Sequence, residues 1–221
     1  MTNSCLSADI KAIVFDFGQV VGIFDHRLTT NRLVCYGNLP ADELHGRLFG
    51  TAIEDDYESG RLSTAQFLKA VRESCRLSCS EDFLASAWAD IFVPNPDLCA
   101  LIARLKPYYR LLLASNTNEL HSQQFTGQFA DVLAHFDAIV LSYKIGVRKP
   151  RPGFFEHCQG LAQCIPAECL FIDDLPANVA GAVACGWQGL VYKGIKDLLD
   201  HLAALGIRGL GNEASVAKKR K

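Results

Sequence analysis

Three short apolar runs in this chain of 221 residues each end in polar residues. The runs are residues 12–15, 111–114 and 169–172, followed by Asp16, by Ser115 and Asn116, and by Asp173 and Asp174. Apolar runs of this length that stop at polar residues are typical of buried strands. In open parallel sheets, ligands bind at the carboxyl edge, where the strands end. The pattern therefore predicts strands that present polar side chains along one edge of a sheet.

Helical and strand-like patterns alternate from residue 97 onward. We predict helices at 98–105, 118–129, 153–163, after Pro176 and at 195–204, and further strands at 138–141 and 189–192. Alternation of this kind is typical of a parallel sheet whose strands are joined by right-handed helical crossovers. The predicted fold class is therefore α/β, a Rossmann-like parallel sheet flanked by helices.

Residues 26–95 have no strong strand pattern and show helical periodicity instead. Residues 63–66 form a capping box, and Phe67, Val71 and Cys75 follow on one helical face. We predict an all-helical cap inserted over the carboxyl edge of the sheet. The predicted domains are a catalytic core of residues 9–25 and 96–206, a cap of residues 26–95 and a flexible basic tail of residues 207–221.

Composition narrows the class of protein. The net charge of −2 gives no general attraction to nucleic acid, and no apolar run is long enough for a membrane span. The nine cysteines are odd in number and lack the spacing of a disulfide scaffold or a zinc site. We therefore expect a reducing, cytoplasmic compartment and no nucleic-acid or membrane partner. We also expect a monomer or homodimer, which composition does not decide.

The polar residues at the strand ends are of the types that bind a metal ion or a phosphate. The adjacent carboxylates of Asp173 and Asp174 repel each other unless a hard cation such as Mg²⁺ lies between or beside them. A carboxylate such as Asp16 attacks a phosphate only when a cation and a lysine offset their charges. Ser115 and the backbone amide of Asn116 suit phosphate binding, although an N-cap for the following helix fits them as well.

Four motifs taken together resemble the haloacid dehalogenase superfamily of hydrolases. They are residues 15–21, residues 115–118, residues 147–150 around Lys149, and residues 173–178. The resemblance runs in order from residue 11 to about residue 205. Within the superfamily it is strongest to the alpha-glucose-1-phosphate phosphatase group and the N-terminal phosphatase domain of soluble epoxide hydrolases.

This resemblance implies a role for each motif residue. Asp16 would be the nucleophile that becomes an aspartyl phosphate, and Lys149 would balance the charge. Ser115 and Asn116 would bind the phosphate. Mg²⁺ would be held by Asp16, the Gly18 carbonyl and Asp174. Asp173 and Asn178 would contact it only through these ligands or through water. The implied function is Mg²⁺-dependent hydrolysis of a small phosphorylated metabolite, a phosphomonoester such as a sugar phosphate. Arg148 and Arg151 are interpreted as a solvated basic loop.

Gly18 is a departure from most phosphatases of this superfamily. They carry an aspartate there, two residues after the nucleophile, which protonates the leaving group, although the alpha-glucose-1-phosphate phosphatase group also tends to have glycine. Candidates for a replacement proton donor are Asp25, His26 and the run of residues 54–56. A leaving group that needs little protonation is the other solution.

Other functions remain open on the same fold. Dehalogenation of a 2-haloacid needs no proton donor, but such enzymes need no Mg²⁺ and lack a pair like Asp173 and Asp174. A phosphate-ligand-binding protein without turnover is a second alternative, which the intact Asp16, Lys149 and Asp174 disfavour. Transfer of the phosphoryl group to a sugar hydroxyl is a third.

Overall fold

The structure, a computed structural model, describes residues 9–211. Within them the strands are β1 Ala12–Phe15, β2 Gly22–Phe24, β3 Phe92–Pro94, β4 Arg110–Ser115, β5 Ala138–Leu141, β6 Cys169–Asp173 and β7 Gln188–Val191. The α-helices are α1 Arg27–Leu33, α2 Ala41–Leu48, α3 Ala52–Glu58, α4 Thr64–Cys75, α5 Glu81–Ala89, α6 Pro96–Leu105, α7 Glu119–Gln128, α8 Ala130–Leu133, α9 Ser142–Ile145, α10 Pro152–Ala162, α11 Pro176–Ala184 and α12 Ile195–Ala204.

Five parallel strands form the main sheet in the order β5-β4-β1-β6-β7. The chain moves outward from β1 to β4 and β5, then returns to β6 and β7 on the other side of β1. The strand order therefore reverses around β1, which is where open α/β sheets bind ligands. The register pairs Phe15 with Leu113 and with Ile172, so the three polar strand ends lie side by side.

Both faces of the sheet are buried, which explains why its strands are continuously apolar rather than alternating. On β1, Ile13 and Phe15 belong to the apolar core on one face, while Ala12 and Val14 belong to the core on the other. All four side chains are fully buried. The α/β fold class is confirmed, and each end of every predicted strand of the main sheet lies within one residue of the observed end.

Helices α1 to α5 form the helical cap, which has an apolar core of its own around Trp88, Tyr57 and Phe67. The capping box at the start of α4 is confirmed, because the Ser63 side chain accepts from the Gln66 backbone and the Gln66 side chain accepts from the Ser63 backbone. The antiparallel pair of β2 and β3 joins cap to core and was not predicted. These strands are three residues long, too short for a periodic pattern.

The segment predicted as a tail begins inside the folded core. Ile207 is buried, and its backbone N–H donates to the Leu202 carbonyl at 2.9 Å. Residues 207–211 therefore differ from the predicted flexible tail, because Ile207 and Leu210 supply apolar surface to the core. Residues 212–221, including the basic terminus, lie outside the described residues.

The cysteines of residues 9–211 are all free thiols. None of the helices in this part of the chain has the length and apolar character needed to cross a membrane.

Candidate active site

A cavity of about 270 Å³ lies between the carboxyl edge of the sheet and the cap. Its wall from the sheet includes Asp16, Ser115 and Asp174. Its wall from the cap and the linker before it includes His26 and Glu58. A cavity formed jointly in this way encloses a small ligand at the strand ends.

The Lys149 ammonium ties together the ends of three neighbouring strands. Its Nζ donates to the Ala114 carbonyl at 2.8 Å and lies 2.7 Å from both Asp16 Oδ1 and Asp173 Oδ2. Burial alone would lower the pKa of this ammonium, but the two carboxylates outweigh that effect and raise the pKa above its usual value. Lys149 is therefore a fixed positive charge beneath the cavity.

Three carboxylates meet at this point. Oxygen atoms of Asp16, Asp173 and Asp174 all lie within 4.8 Å of one another. Three carboxylates less the one ammonium of Lys149 leave a formal charge of −2. Such a set of oxygen ligands fits a hard divalent cation, which would cancel that charge.

The two adjacent aspartates have different environments. Asp173 is fully buried and accepts hydrogen bonds from Lys149, from the Asn178 side chain and from the Leu175 N–H. Asp174 is half-buried and lines the cavity, and no side chain among residues 9–211 donates a hydrogen bond to it. Burial and the charge of Asp173 raise the pKa of Asp174. Asp174 is therefore the carboxylate of this pair that is free to take a ligand.

Asp16 lies at the end of β1 with one carboxylate oxygen already engaged. Oδ1 accepts from the Phe17 N–H at 2.7 Å and contacts Lys149 at 2.7 Å. No group in the described part of the chain donates a hydrogen bond to Oδ2. Burial raises the pKa of Asp16 to about 7, Lys149 opposes this rise, and the charges of Asp173 and Asp174 add to it. A bound cation would favour the ionised form.

Ser115 and Asn116 follow β4 at the same edge. Ser115 is buried and lines the cavity. The Asn116 side chain holds the Lys149 backbone, accepting from its N–H at 2.8 Å and donating to its carbonyl at 3.0 Å. The N-cap interpretation applies to Asn118, whose side chain accepts from the His121 N–H. A phosphate contact from Asn116 would therefore come from its backbone N–H.

Comparison with known proteins identifies the family. A family model described as haloacid dehalogenase-like hydrolase matches residues 10–186, more than half of the chain. The chain belongs to this family. It is 31% identical over 177 residues to a D-ribitol-5-phosphate phosphatase of Bacteroides thetaiotaomicron, covering 77% of this chain and 85% of that protein.

Solved structures are similar to this chain over most of its length. A Bacteroides thetaiotaomicron enzyme of the family, in complex with magnesium and inorganic phosphate, superposes with a TM-score of 0.73 at 25% identity, covering 83% of this chain and 94% of that one. The L-2-haloacid dehalogenase of Xanthobacter autotrophicus has a TM-score of 0.63 at 22% identity, covering 89% and 83%. The second likeness concerns the fold alone.

Gly18 sits where most phosphatases of the family have an acid, and Phe24 occupies the adjoining space. A Cβ added to Gly18 would lie 2.9 Å from the Phe24 ring. That ring is held by contacts with His26 at 4.7 Å and Phe92 at 5.7 Å between centroids. A side chain at position 18 would therefore have to displace a packed aromatic ring.

The structure separates the candidates for a replacement proton donor. Asp25 is exposed and accepts from the Arg27 N–H, while Asp55 and Asp56 pair with Arg61. His26 and Glu54 line the cavity. The ring of His26 stacks on Phe49 at 3.9 Å, and burial lowers its pKa to about 4.

The cavity is also lined by Glu58 and Arg148, which the sequence did not place there. Arg148 is half-buried, and it forms ion pairs with Asp55 and, at 2.7 Å, with Glu58. The interpretation of Arg148 as part of a solvated loop is therefore wrong, because the cap supplies carboxylates that cover it. No sequence signal links these residues, which are about 90 positions apart and meet only through the docking of α3 on the core.

Proposed function

We propose that this protein is a Mg²⁺-dependent phosphatase that hydrolyses a small phosphomonoester through an aspartyl-phosphate intermediate. The observation that carries the proposal is the cluster of Asp16, Asp173 and Asp174 around the buried Lys149. The relative that hydrolyses D-ribitol 5-phosphate and the family structure with magnesium and phosphate support the same chemistry.

The residues present fit a magnesium ion. Asp16, the Gly18 carbonyl and Asp174 would hold it, with Asp173 and Asn178 fixing their surroundings. When bound, Mg²⁺ would offset the negative charges of the carboxylates and the phosphate. The net charge of −2 in the cluster matches a divalent cation and leaves a monovalent one incompletely balanced.

Asp16 would act as the nucleophile. Its Oδ2 would form a bond to phosphorus while the bond from phosphorus to the leaving oxygen breaks, in line. Lys149, fixed by the Ala114 carbonyl, would keep Asp16 ionised and stabilise charge on the phosphoryl oxygens. The Ser115 hydroxyl and the Asn116 N–H would donate to those oxygens. Water would then hydrolyse the aspartyl phosphate and restore Asp16.

The cap, residues 26–95 by our boundaries, would select the leaving group and exclude bulk water from the cavity. We expect the substrate to be a sugar phosphate or polyol phosphate, in keeping with the relative's activity. The free thiols are consistent with a reducing, cytoplasmic setting. We expect a monomer or homodimer that has neither nucleic-acid nor membrane partners.

Phosphate release from a panel of sugar, polyol and aryl phosphates tests the proposal, with Mg²⁺ and with a chelator. We expect activity that the chelator abolishes and Mg²⁺ restores, and that Asp174→Ala removes. Mg²⁺ should also raise the melting temperature of the wild type but not of Asp174→Ala, because a ligand stabilises the state that binds it. Full activity in chelator would contradict the metal assignment, and no phosphate release under any of these conditions would leave the dehalogenase alternative open.

A further inference from the structure

We propose that the cap side of the cavity excludes leaving groups that carry a second negative charge, so that the substrates are phosphomonoesters of uncharged polyhydroxyl compounds. This inference rests on the proposed phosphatase function and concerns the part of the substrate beyond the phosphate. The residues responsible are Glu54 and Glu58 of α3, together with the pairing of Arg148.

Two carboxylates of α3 line the cavity. Glu58 is 9% exposed and its Oε2 lies 2.7 Å from Arg148 Nη2. Glu54 Oε2 accepts from the Gly50 N–H at 2.6 Å. Both side chains therefore have fixed positions, and neither can turn away from a charged ligand without losing an interaction that is already formed.

The cationic side chains in the same wall are already paired with carboxylates. Among the described residues that line the cavity, Arg148 and Lys149 are the only arginine or lysine side chains. Arg148 gives its two terminal nitrogens to Asp55 and Glu58, and its Nε is buried without a partner among the described residues. The three donors of Lys149 go to Ala114, Asp16 and Asp173. A second anion on the substrate would thus meet carboxylates, while the charge of each cation is already offset by two carboxylates.

The histidines of the cavity do not change this balance. Burial lowers the pKa of His26 to about 4 and that of His121 to about 3, so both rings are neutral near pH 7. Hydroxyl groups, in contrast, can donate hydrogen bonds to the carboxylates of Glu54 and Glu58. The wall therefore favours an uncharged leaving group rich in hydroxyls over one that carries a carboxylate or a second phosphate.

The protonation state of Glu58 decides the pH at which the test is run. Burial raises the pKa of Glu58 to about 7, Arg148 and Lys149 oppose this rise, and Glu54 and Asp55 add to it. An assay at about pH 8 therefore keeps this carboxylate ionised while Mg²⁺ is present.

The experiment compares two aryl phosphates of matched size, 4-(hydroxymethyl)phenyl phosphate and 4-carboxyphenyl phosphate. The carboxylate makes the phenolate the better leaving group, so chemistry alone would favour the charged substrate. We expect the wild type to prefer the uncharged one by at least about tenfold in kcat/KM, since like charges in a partly buried site repel strongly. Equal kcat/KM, or a preference for the charged substrate, would overturn the proposal.

Charge-neutralising variants identify the residues responsible. Glu54→Gln and Glu58→Gln should each reduce the preference severalfold. Asp56→Asn is the matched control, because it removes the same charge from the same helix at a residue that pairs with Arg61 and does not line the cavity. A preference unchanged in Glu54→Gln and Glu58→Gln, or reduced as much in Asp56→Asn, would overturn the assignment. If Glu58→Gln fails to fold, Glu54→Gln decides alone.

Phenyl phosphate separates this proposal from the function on which it rests. It carries no second group and tests only the phosphatase chemistry. Hydrolysis of phenyl phosphate together with equal rates on the matched pair would overturn the selectivity and leave the proposed function standing. Failure to hydrolyse phenyl phosphate with Mg²⁺ would overturn the proposed function, and this proposal with it.

Discussion

The two sides of the cavity are organised differently. At the sheet edge, Asp16, Lys149 and Asp173 are joined by short ion pairs between groups that are almost fully buried. On the cap side, Glu54 and Glu58 lie on a short helix and are held by Gly50 and Arg148. The sheet edge is fixed by strand pairing, whereas the cap side depends on how α3 docks against the core.

This difference separates chemistry from selectivity. Of the groups that would act on phosphorus, Asp16 and Ser115 lie at the ends of paired strands, whose register leaves them little freedom. Lys149 follows α9 and is held to those strand ends by the Ala114 carbonyl and two carboxylates. The groups that would contact the leaving group sit on an inserted unit with its own apolar core. Substitutions on the two sides should therefore affect different measurable quantities, namely the rate of phosphoryl transfer and the choice of substrate.

The largest effect should come from Asp16→Asn at the sheet edge. The amide has nearly the same shape but cannot attack phosphorus, so we expect kcat to fall by at least about a thousandfold. Phosphate release under saturating substrate measures it. Asp25→Asn, at an exposed residue outside the cavity, is the control and should keep its rate. A variant of Asp16 with more than about a tenth of the wild-type rate would contradict its role as the nucleophile.

The next largest effect concerns Gly18, where the two sides of the cavity meet and position 18 has no acid side chain to protonate the leaving group. If no group protonates the leaving oxygen, the rate should fall steeply as the pKa of the leaving group rises, by about 10²–10⁴-fold between aryl and alkyl phosphates. A series of aryl and alkyl phosphates measures this slope. A flat dependence, with chemistry rate-limiting, would mean that His26 or Glu54 supplies the proton. Gly18→Asp combined with Phe24→Ala, which removes the obstructing ring, should flatten the slope.

Lys149→Met should destabilise the protein as well as inactivate it. Removal of the ammonium leaves Asp16 and Asp173 buried without their cation, which costs about 3–5 kcal/mol of unfolding free energy. Urea unfolding in the absence of Mg²⁺ measures the loss. Lys144→Met, at an exposed lysine on α9, is the matched control and should change stability by less than about 0.5 kcal/mol. Equal stability of the two variants would contradict the role of Lys149 in the sheet edge.

The smallest predicted effect concerns His121, which joins the two sides. The ring nitrogens of His121 contact the Asn118 amide and the Trp88 carbonyl of the cap, each at 3.0 Å. Burial lowers its pKa from 6.5 to about 3. Below pH 6.5 the unfolded chain thus binds more protons at this residue than the folded protein, and stability falls as the pH drops.

The expected loss from His121 is about 2 kcal/mol of unfolding free energy between pH 7 and pH 5. His121→Gln, which can keep both hydrogen bonds without titrating, should lack this component. Both proteins share the same carboxylates. Subtracting one profile of unfolding free energy against pH from the other therefore leaves the contribution of His121. Parallel profiles would show that His121 is not neutral in the folded protein.

The sequence predicted the sheet edge far better than the cap side. Asp16, Ser115 and Asp173 could be found because each follows a buried apolar run, and parallel strands bring such ends together. The pairing of Arg148 with Asp55 and Glu58 could not be found, because it depends on the docking angle of α3. The short strands β2 and β3 were missed because three residues carry no periodicity.

Trapping the aspartyl phosphate tests the central claim most directly. Borohydride added during turnover, with Mg²⁺ and an aryl phosphate, should reduce an acyl phosphate on Asp16 to homoserine. Mass spectrometry of the peptide that contains residues 12–27 should then show this conversion at position 16 in the wild type. Peptides from Asp16→Asn, or from enzyme without substrate, should remain unmodified. Rapid turnover with position 16 unmodified, or conversion at a different carboxylate, would contradict the account.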